Sequence, residues 1–197
     1  MATSPIHRLT EEEYLALERA AEIKSEFLNG EIFAMSGGTS RHSGLQRNLL
    51  VELANRLEGG PCQPFTDSLK ISVPAARLYT YPDLSVVCGQ PQYRDNREEG
   101  LLNPAVIAEV LSSSTEAYDR GRKFQYYRMI DSLAEYILVD QNQVLVECYS
   151  RGADNSSWTL RTYTNQDEEV HINSIGVSIP LSRLYRQIEF TSPTPEQ

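Results

Sequence analysis

The sequence predicts an α/β domain: a central mixed β-sheet flanked by helices, with N-terminal helices and a hairpin ahead of it. Three observations carry that expectation. The segments "LSVVC" (84–88) and "PAVIAEVL" (104–111) are almost wholly apolar, the pattern of strands covered on both faces. A helical pattern over 112–132 separates the second of them from another apolar strand, "AEYILVD", so the link is a crossover within one sheet. Upstream, Leu45, Leu49, Leu53 and Leu57 recur every four residues and give one apolar helical stripe.

The elements follow in order. Thr10 and Glu13 stand at capping-box spacing, with Leu9 and Tyr14 placed for a hydrophobic staple, which predicts a helix over 11–21. Asn29-Gly30 lies between two short apolar runs; a type I′ turn needs positive φ at both central residues, and this pair accepts it, so a hairpin is predicted. The leucine-striped helix comes next and stops at Gly59-Gly60. "CQPFTDSLKISVP" reads as two short strands or one bent strand, and "YPDLSVVCG" as another. The polar stretch 90–103 is a long connecting loop. After "PAVIAEVL", a helix is expected with Ser113 and Glu116 at capping-box spacing, weakened at Gly121. Two strands joined by a polar turn occupy 134–150, "WTLRTYT" is one more, and 168–188 reads as a late strand followed by a short helix. A single domain over 1–190 and a loose tail over 191–197 account for the chain.

The totals exclude some classes. A chain of 197 residues suits one domain with an ample core. No basic start followed by an apolar stretch marks a signal peptide, and no apolar run approaches a membrane span. Cys62, Cys88 and Cys148 are far apart and form no CxxC, which argues against a zinc knuckle; Cys88 and Cys148 sit in strand patterns and are expected to be buried free thiols. A reducing cytoplasm is the expected setting. The net charge of −9 argues against a generic nucleic-acid coat, though a local basic groove remains compatible with it.

Two carboxylates stand out. Alternation puts Asp83 on one strand face with Ser85 and Val87, and Glu109 shares its face with Ile107 and Leu111. An ionised carboxylate buried without a partner costs at least several kcal/mol, so Glu109 needs a cation, hydrogen bonds or an open strand end. Two hard oxygen ligands on neighbouring strand ends suit Mg²⁺ or Mn²⁺, with the backbone carbonyl of Val110 as a further ligand. The plainer reading of the same residues is a turn-forming aspartate after a proline and a glutamate paired with Lys or Arg.

In order along the chain, "YPD" opens one strand, "AEVLSSST" closes the next, "DRGRKFQYY" lies on a helix and "EYILVDQ" follows. This succession resembles the Uma-type family of bacterial proteins, within the restriction-endonuclease-like superfamily whose site motif is written PD-(D/E)XK. The likeness extends to "LTEEEYLALE", "NGEI", "PCQPFTDSLKISV" and "LSRLY", nearly the whole chain. The resemblance implies a restriction-endonuclease-like fold and a divalent-metal site at Asp83 and Glu109. One departure matters: the superfamily places Lys two positions after the Glu, where this chain has Leu111. Lys123 on the following helix is the substitute, orienting or helping to deprotonate the attacking water. It also stands four residues from Asp119, the spacing of an ordinary surface pair.

Glu26 and His42 are accessory candidates, and Lys70, Arg120 and Arg122 are candidate phosphate contacts. Tyr126 and Tyr127 read as packing residues. Three functions follow: a metal-dependent endonuclease acting on DNA, a catalytically silent nucleic-acid-binding or regulatory protein with the same fold, and a plain interaction module. Cutting both strands of a duplex needs two sites, so a homodimer is expected.

Overall fold

The computed structural model describes residues 8–35 and 37–190; the tail over 191–197 falls outside them. The order of elements is α1 (Glu11–Ala20), β1 (Ser25–Leu28), β2 (Glu31–Ala34), α2 (Ser40–Leu57), β3 (Cys62–Thr66), β4 (Ile71–Val73), β5 (Leu78–Thr80), β6 (Leu84–Cys88) and β7 (Val106–Leu111). A helical stretch comes next: α3 (Glu116–Tyr118), a π-helical turn (Asp119–Lys123) and α4 (Phe124–Tyr127). The chain closes with β8 (Glu135–Asp140), β9 (Val146–Arg151), β10 (Trp158–Tyr163), β11 (Glu169–Ile172), β12 (Val177–Pro180) and α5 (Leu181–Leu184).

The central sheet has six strands in the order β10-β9-β8-β7-β6-β3. It is mixed: β7 and β8 are parallel, and the other neighbours are antiparallel. The parallel pair is the one joined by the helical crossover, as the order of apolar strands predicts. Leu84, Val86, Ala108 and Val110 face the α2 leucine stripe on one side; Val87, Ile107, Leu111, Tyr127 and Tyr136 form a second core on the other. Alternation along β6 and β7 is therefore what separates the two cores. Leu53 is 1% exposed within the first. Leu53→Ala is expected to cost about 2–5 kcal/mol, read as a lower urea midpoint at unchanged slope.

Local signals hold at the N-terminus. Thr10 and Glu13 form the reciprocal capping box of α1, and Leu9 packs against the Tyr14, Phe27 and Tyr79 cluster. Asn29 and Gly30 both have positive φ, 49° and 97°, in the hairpin between β1 and β2. That hairpin belongs to a second sheet, β2-β1-β5-β4.

Three expectations need correction. Cys88 is not a free thiol: it lies directly opposite Cys62 across β3 and β6 and is disulfide-bonded to it, while Cys148 is the buried free cysteine. Sequence distance concealed this, because pairing register brings together residues 26 positions apart. The predicted Ser113–Glu116 capping box does not form; the Ser112 hydroxyl and carbonyl receive the amides of Thr115 and Glu116 instead. The C-terminal segment holds two strands, β11 and β12, paired as a hairpin, where one was expected. No helix among the described residues is long and apolar enough to cross a membrane.

Candidate active site

Strand register explains why the two carboxylates meet. In the antiparallel pair β6–β7, Leu84 stands opposite Ala108 and Ser85 opposite Ile107. Carried one residue past the start of β6, that register brings Asp83 beside Glu109. The Asp83 amide donates to Glu109 Oε2 at 3.3 Å, and Asp83 Oδ2 accepts the Val110 amide at 2.6 Å. The aspartate thus bridges the end of its own strand to its neighbour.

The crossover helix supplies the amine. Leu111, where the superfamily pattern has its lysine, is packed in the second core. Lys123 ends the π-helical turn and places Nζ 2.9 Å from Glu109 Oε1, 3.4 Å from Glu26 Oε1 and 3.5 Å from Asp119 Oδ1. Lys123 and Asp119 are spaced i,i+4, but the pair is not a surface one: the residues are 6% and 3% exposed. A π turn within an α-helix is a local irregularity often met at functional sites, and here it carries both inward-pointing charges.

Helix α2 closes the opposite side. His42 Nε2 is 3.2 Å from Asp83 Oδ2, and Gln46 Nε2 donates to Asp83 Oδ1 at 2.7 Å. The two are one helical turn apart and clamp both oxygens of one carboxylate. Glu26 also accepts from the Thr80 hydroxyl, and the Tyr127 phenol donates to Glu109 Oε1 at 2.8 Å. Asp83, Glu109, Val110, Lys123, Glu26, His42 and Arg122 all line one cavity of about 1000 Å³.

The structure does not bring the other two phosphate candidates there. Lys70 is buried, 3.8 Å from Glu99 and over the rings of Tyr14 and Tyr81. Arg120 is paired with Glu116 at 2.9 Å and with Glu147. Gln46, Asp119, Thr80 and Tyr127 were not singled out by sequence as site residues. Gln46 was findable, because it follows His42 by four positions on one helix face. Thr80 gives no such signal, since only strand pairing delivers it.

Electrostatics explain the cluster's character. Burial raises the Glu109 carboxyl to about 8, with Asp119 and Asp83 adding to the rise and Lys123 opposing it. Burial also raises Asp119, again against Lys123. For Lys123, burial works against the charge, but Glu109, Glu26 and Asp119 prevail and hold the ammonium well above its ordinary range. For His42, burial lowers and Asp83 raises; Asp83 prevails, and the imidazole sits above its usual 6.5. The site is a carboxylate-rich pocket short of positive charge.

That shortage is what a divalent cation would relieve. Among the described residues, no group of three or more His, Cys, Asp or Glu side chains is arranged to hold a metal. Mg²⁺ does not require one: it takes one or two carboxylates and completes its shell with water and substrate oxygens. A carboxylate offers about four lone-pair positions. Asp83 Oδ1 and Glu109 Oε2 each carry one hydrogen bond, which leaves capacity on each. The donor set and its excess charge fit such an ion.

The chain matches the model of a family described as "Uma2: Putative restriction endonuclease" over residues 11–182. It is similar to two uncharacterized proteins of Synechocystis sp. The first, slr1290, is 36% identical over 189 residues, covering 95% of this chain and 97% of its own. The second, sll1609, is 35% identical over 177 residues, covering 90% and 98%. A crystal structure from Anabaena variabilis ATCC 29413, described as "a putative nuclease belonging to DUF820", is similar in fold. Its TM-score is 0.74 at 18% identity, covering 90% of this chain and 97% of that one.

Proposed function

This chain belongs to the Uma2 family, and from that premise we propose that it is a divalent-metal-dependent nuclease that hydrolyses phosphodiester bonds in DNA. The observation that supports this best is the meeting of three groups: Asp83 and Glu109 from opposed strand positions, and the Lys123 ammonium 2.9 Å from Glu109. Asp83, Glu109 and the Val110 carbonyl would hold Mg²⁺ or Mn²⁺, with Glu26 and His42 beside them. When bound, such an ion supplies Lewis acidity for water and for a phosphoryl oxygen.

The chain's own groups divide the remaining work. Three carboxylates hold Lys123 protonated, so it enters as a hydrogen-bond donor and a positive charge that orients water and offsets developing negative charge. His42 lies nearer neutrality and can hold a proton at Nε2 against Asp83. Arg122 lines the cavity and is placed to meet a phosphate. Tyr127 and Gln46 fix the rotamers of the two carboxylates. Cutting both strands of a duplex would require two copies of this site, which a homodimer supplies.

The test is incubation with single- and double-stranded DNA and RNA in Mg²⁺, Mn²⁺ or EDTA, with Asp83→Ala as control. Cleavage in metal, absent in EDTA and in the variant, is the expected result; cleavage insensitive to both would sink the proposal. A second reading, a nucleic-acid-binding or regulatory protein that no longer cuts, draws on the three carboxylates that hold Lys123. It predicts calorimetric metal binding by wild type, lost in Asp83→Ala, with no cleavage of any substrate.

A further inference from the structure

Phe33 belongs to no core cluster and is 49% exposed, yet it lines the acid-rich cavity. It lies on β2, the edge strand of the smaller sheet, directly opposite Glu26 of β1. Cross-strand partners share a face, with Cβ atoms about 5 Å apart. The ring therefore stands beside the carboxylate that reaches Lys123 at 3.4 Å. Tyr118, one residue before Asp119, lines the same cavity.

The cations of this cavity are few. Of Lys24, Arg122 and Lys123, Lys24 is paired with Asp67 at 3.2 Å and Lys123 with three carboxylates. His42 is likewise 3.2 Å from Asp83, so among the described basic residues lining the cavity only Arg122 has no carboxylate in salt-bridge range. Five carboxylates line the same space, and the chain carries −9 overall. A protein that grips duplex DNA through many phosphates needs a comparable number of free cations. Stacking of a base on an aromatic ring needs none, and it requires a base whose face is not already covered by a neighbour in the helix.

Resting on the nuclease reading above, we infer that the site takes an unpaired strand, a single-stranded tail or frayed end, and that a base next to the scissile phosphate stacks on Phe33. This narrows the substrate and removes the need for paired sites, since one strand needs one cut. Phe33 is then a specificity-determining residue outside the acid cluster.

The test is fluorescence anisotropy with a labelled oligothymidylate and with a blunt duplex of the same length, in Ca²⁺ in place of Mg²⁺. Wild type is expected to prefer the single strand by at least about tenfold, with a log–log salt slope no steeper than about −2. Phe33→Ala should weaken single-strand binding roughly ten- to a hundredfold and leave duplex binding unchanged. Phe33→Trp should restore it. Phe33→Leu, which keeps apolar bulk without a flat face, should behave like the alanine variant. Equal affinity for both nucleic acids, or Phe33→Ala and Phe33→Leu without effect, overturns the inference. So does a Phe33→Ala variant that alters oligomeric mass while binding is unchanged, since the ring then serves a contact between copies. In each of those cases metal-dependent cleavage can persist, and the nuclease reading survives. Failure of wild type to bind or cut any nucleic acid overturns both.

Discussion

Asp83→Asn is expected to reduce metal-dependent cleavage by about a thousandfold while leaving the metal-free protein at least as stable as wild type. The rate loss follows from removing one of the two carboxylates that would hold the cation, whose charge stabilisation is worth several kcal/mol, or about three powers of ten. The stability expectation follows from the hydrogen bonds. Asp83 accepts from the Val110 amide, His42 and Gln46. Asparagine retains one oxygen for the amide and His42, and its NH₂ meets Gln46 once that side-chain amide turns over. What disappears is a negative charge that disfavours ionisation of Glu109 and Asp119. The imidazole of His42 should also titrate lower, because Asp83 is what holds it up. Its charge contributes stability that is complete below the ordinary value near 6.5 and fades as pH rises through the higher folded value; the variant loses that contribution, so its equal or greater stability is expected above the His42 value, where the imidazole is neutral in both proteins. Cleavage rates, urea melts in EDTA and NMR titration of His42 read the three effects. A variant that loses stability and activity together would mean that Asp83 is a structural strut.

Opposite signs of that kind mark a site built at some cost to the fold, and they bear on what the sequence could reveal. Asp83 and Glu109 were legible because each interrupts an apolar strand, where a charge needs a reason. Their meeting was not strictly legible: it depends on the β6–β7 register, in which a shift of one residue would turn one carboxylate to the opposite face. The centre of the larger sheet could be read from apolar runs, since β6, β7 and β8 are buried on both faces and that leaves an unmistakable composition. The smaller sheet was harder. Its strands β4 and β5 have three residues each, too few for periodicity to speak.

Contacts between distant segments account for the rest. Asp119 looked like a surface partner of Lys123 because i,i+4 spacing says nothing about which side of a helix faces the core. The Cys62–Cys88 bridge and the Thr80 contact to Glu26 join residues that only strand pairing makes neighbours. Lys70 and Arg120 show the reverse: basic residues in plausible places whose charges are already engaged by Glu99 and by Glu116 and Glu147. The resemblance to a family helped most at Lys123, since nothing local distinguishes that lysine from any other on a polar helix.

Lys123→Met is expected to cause the largest loss of stability at the site, about 3–5 kcal/mol once pH passes the Glu109 value of about 8, because it then leaves buried carboxylates without their cation. The loss should depend on pH with a definite sign. In the metal-free wild type, the Glu109 carboxyl titrates at about 8 rather than 4.5. Between those values the folded protein holds a proton that the unfolded chain has released. The stability this contributes is complete below 4.5 and is lost as pH rises through 8. Without Lys123, which lowers Glu109 and Asp119, both carboxyls should move further up. The stability curves of variant and wild type should then lie close together in acid, where the carboxyls are protonated in either protein, and separate most as pH rises through 8, where only the wild type releases the Glu109 proton. Lys123→Arg should recover much of the stability, since it keeps the charge, but not the cleavage rate, since a planar guanidinium cannot reproduce the position of Nζ. Urea melts across pH in EDTA, with cleavage assays of both variants, check this. A deficit equal at every pH would locate the damage in packing and remove Lys123 from the electrostatic account.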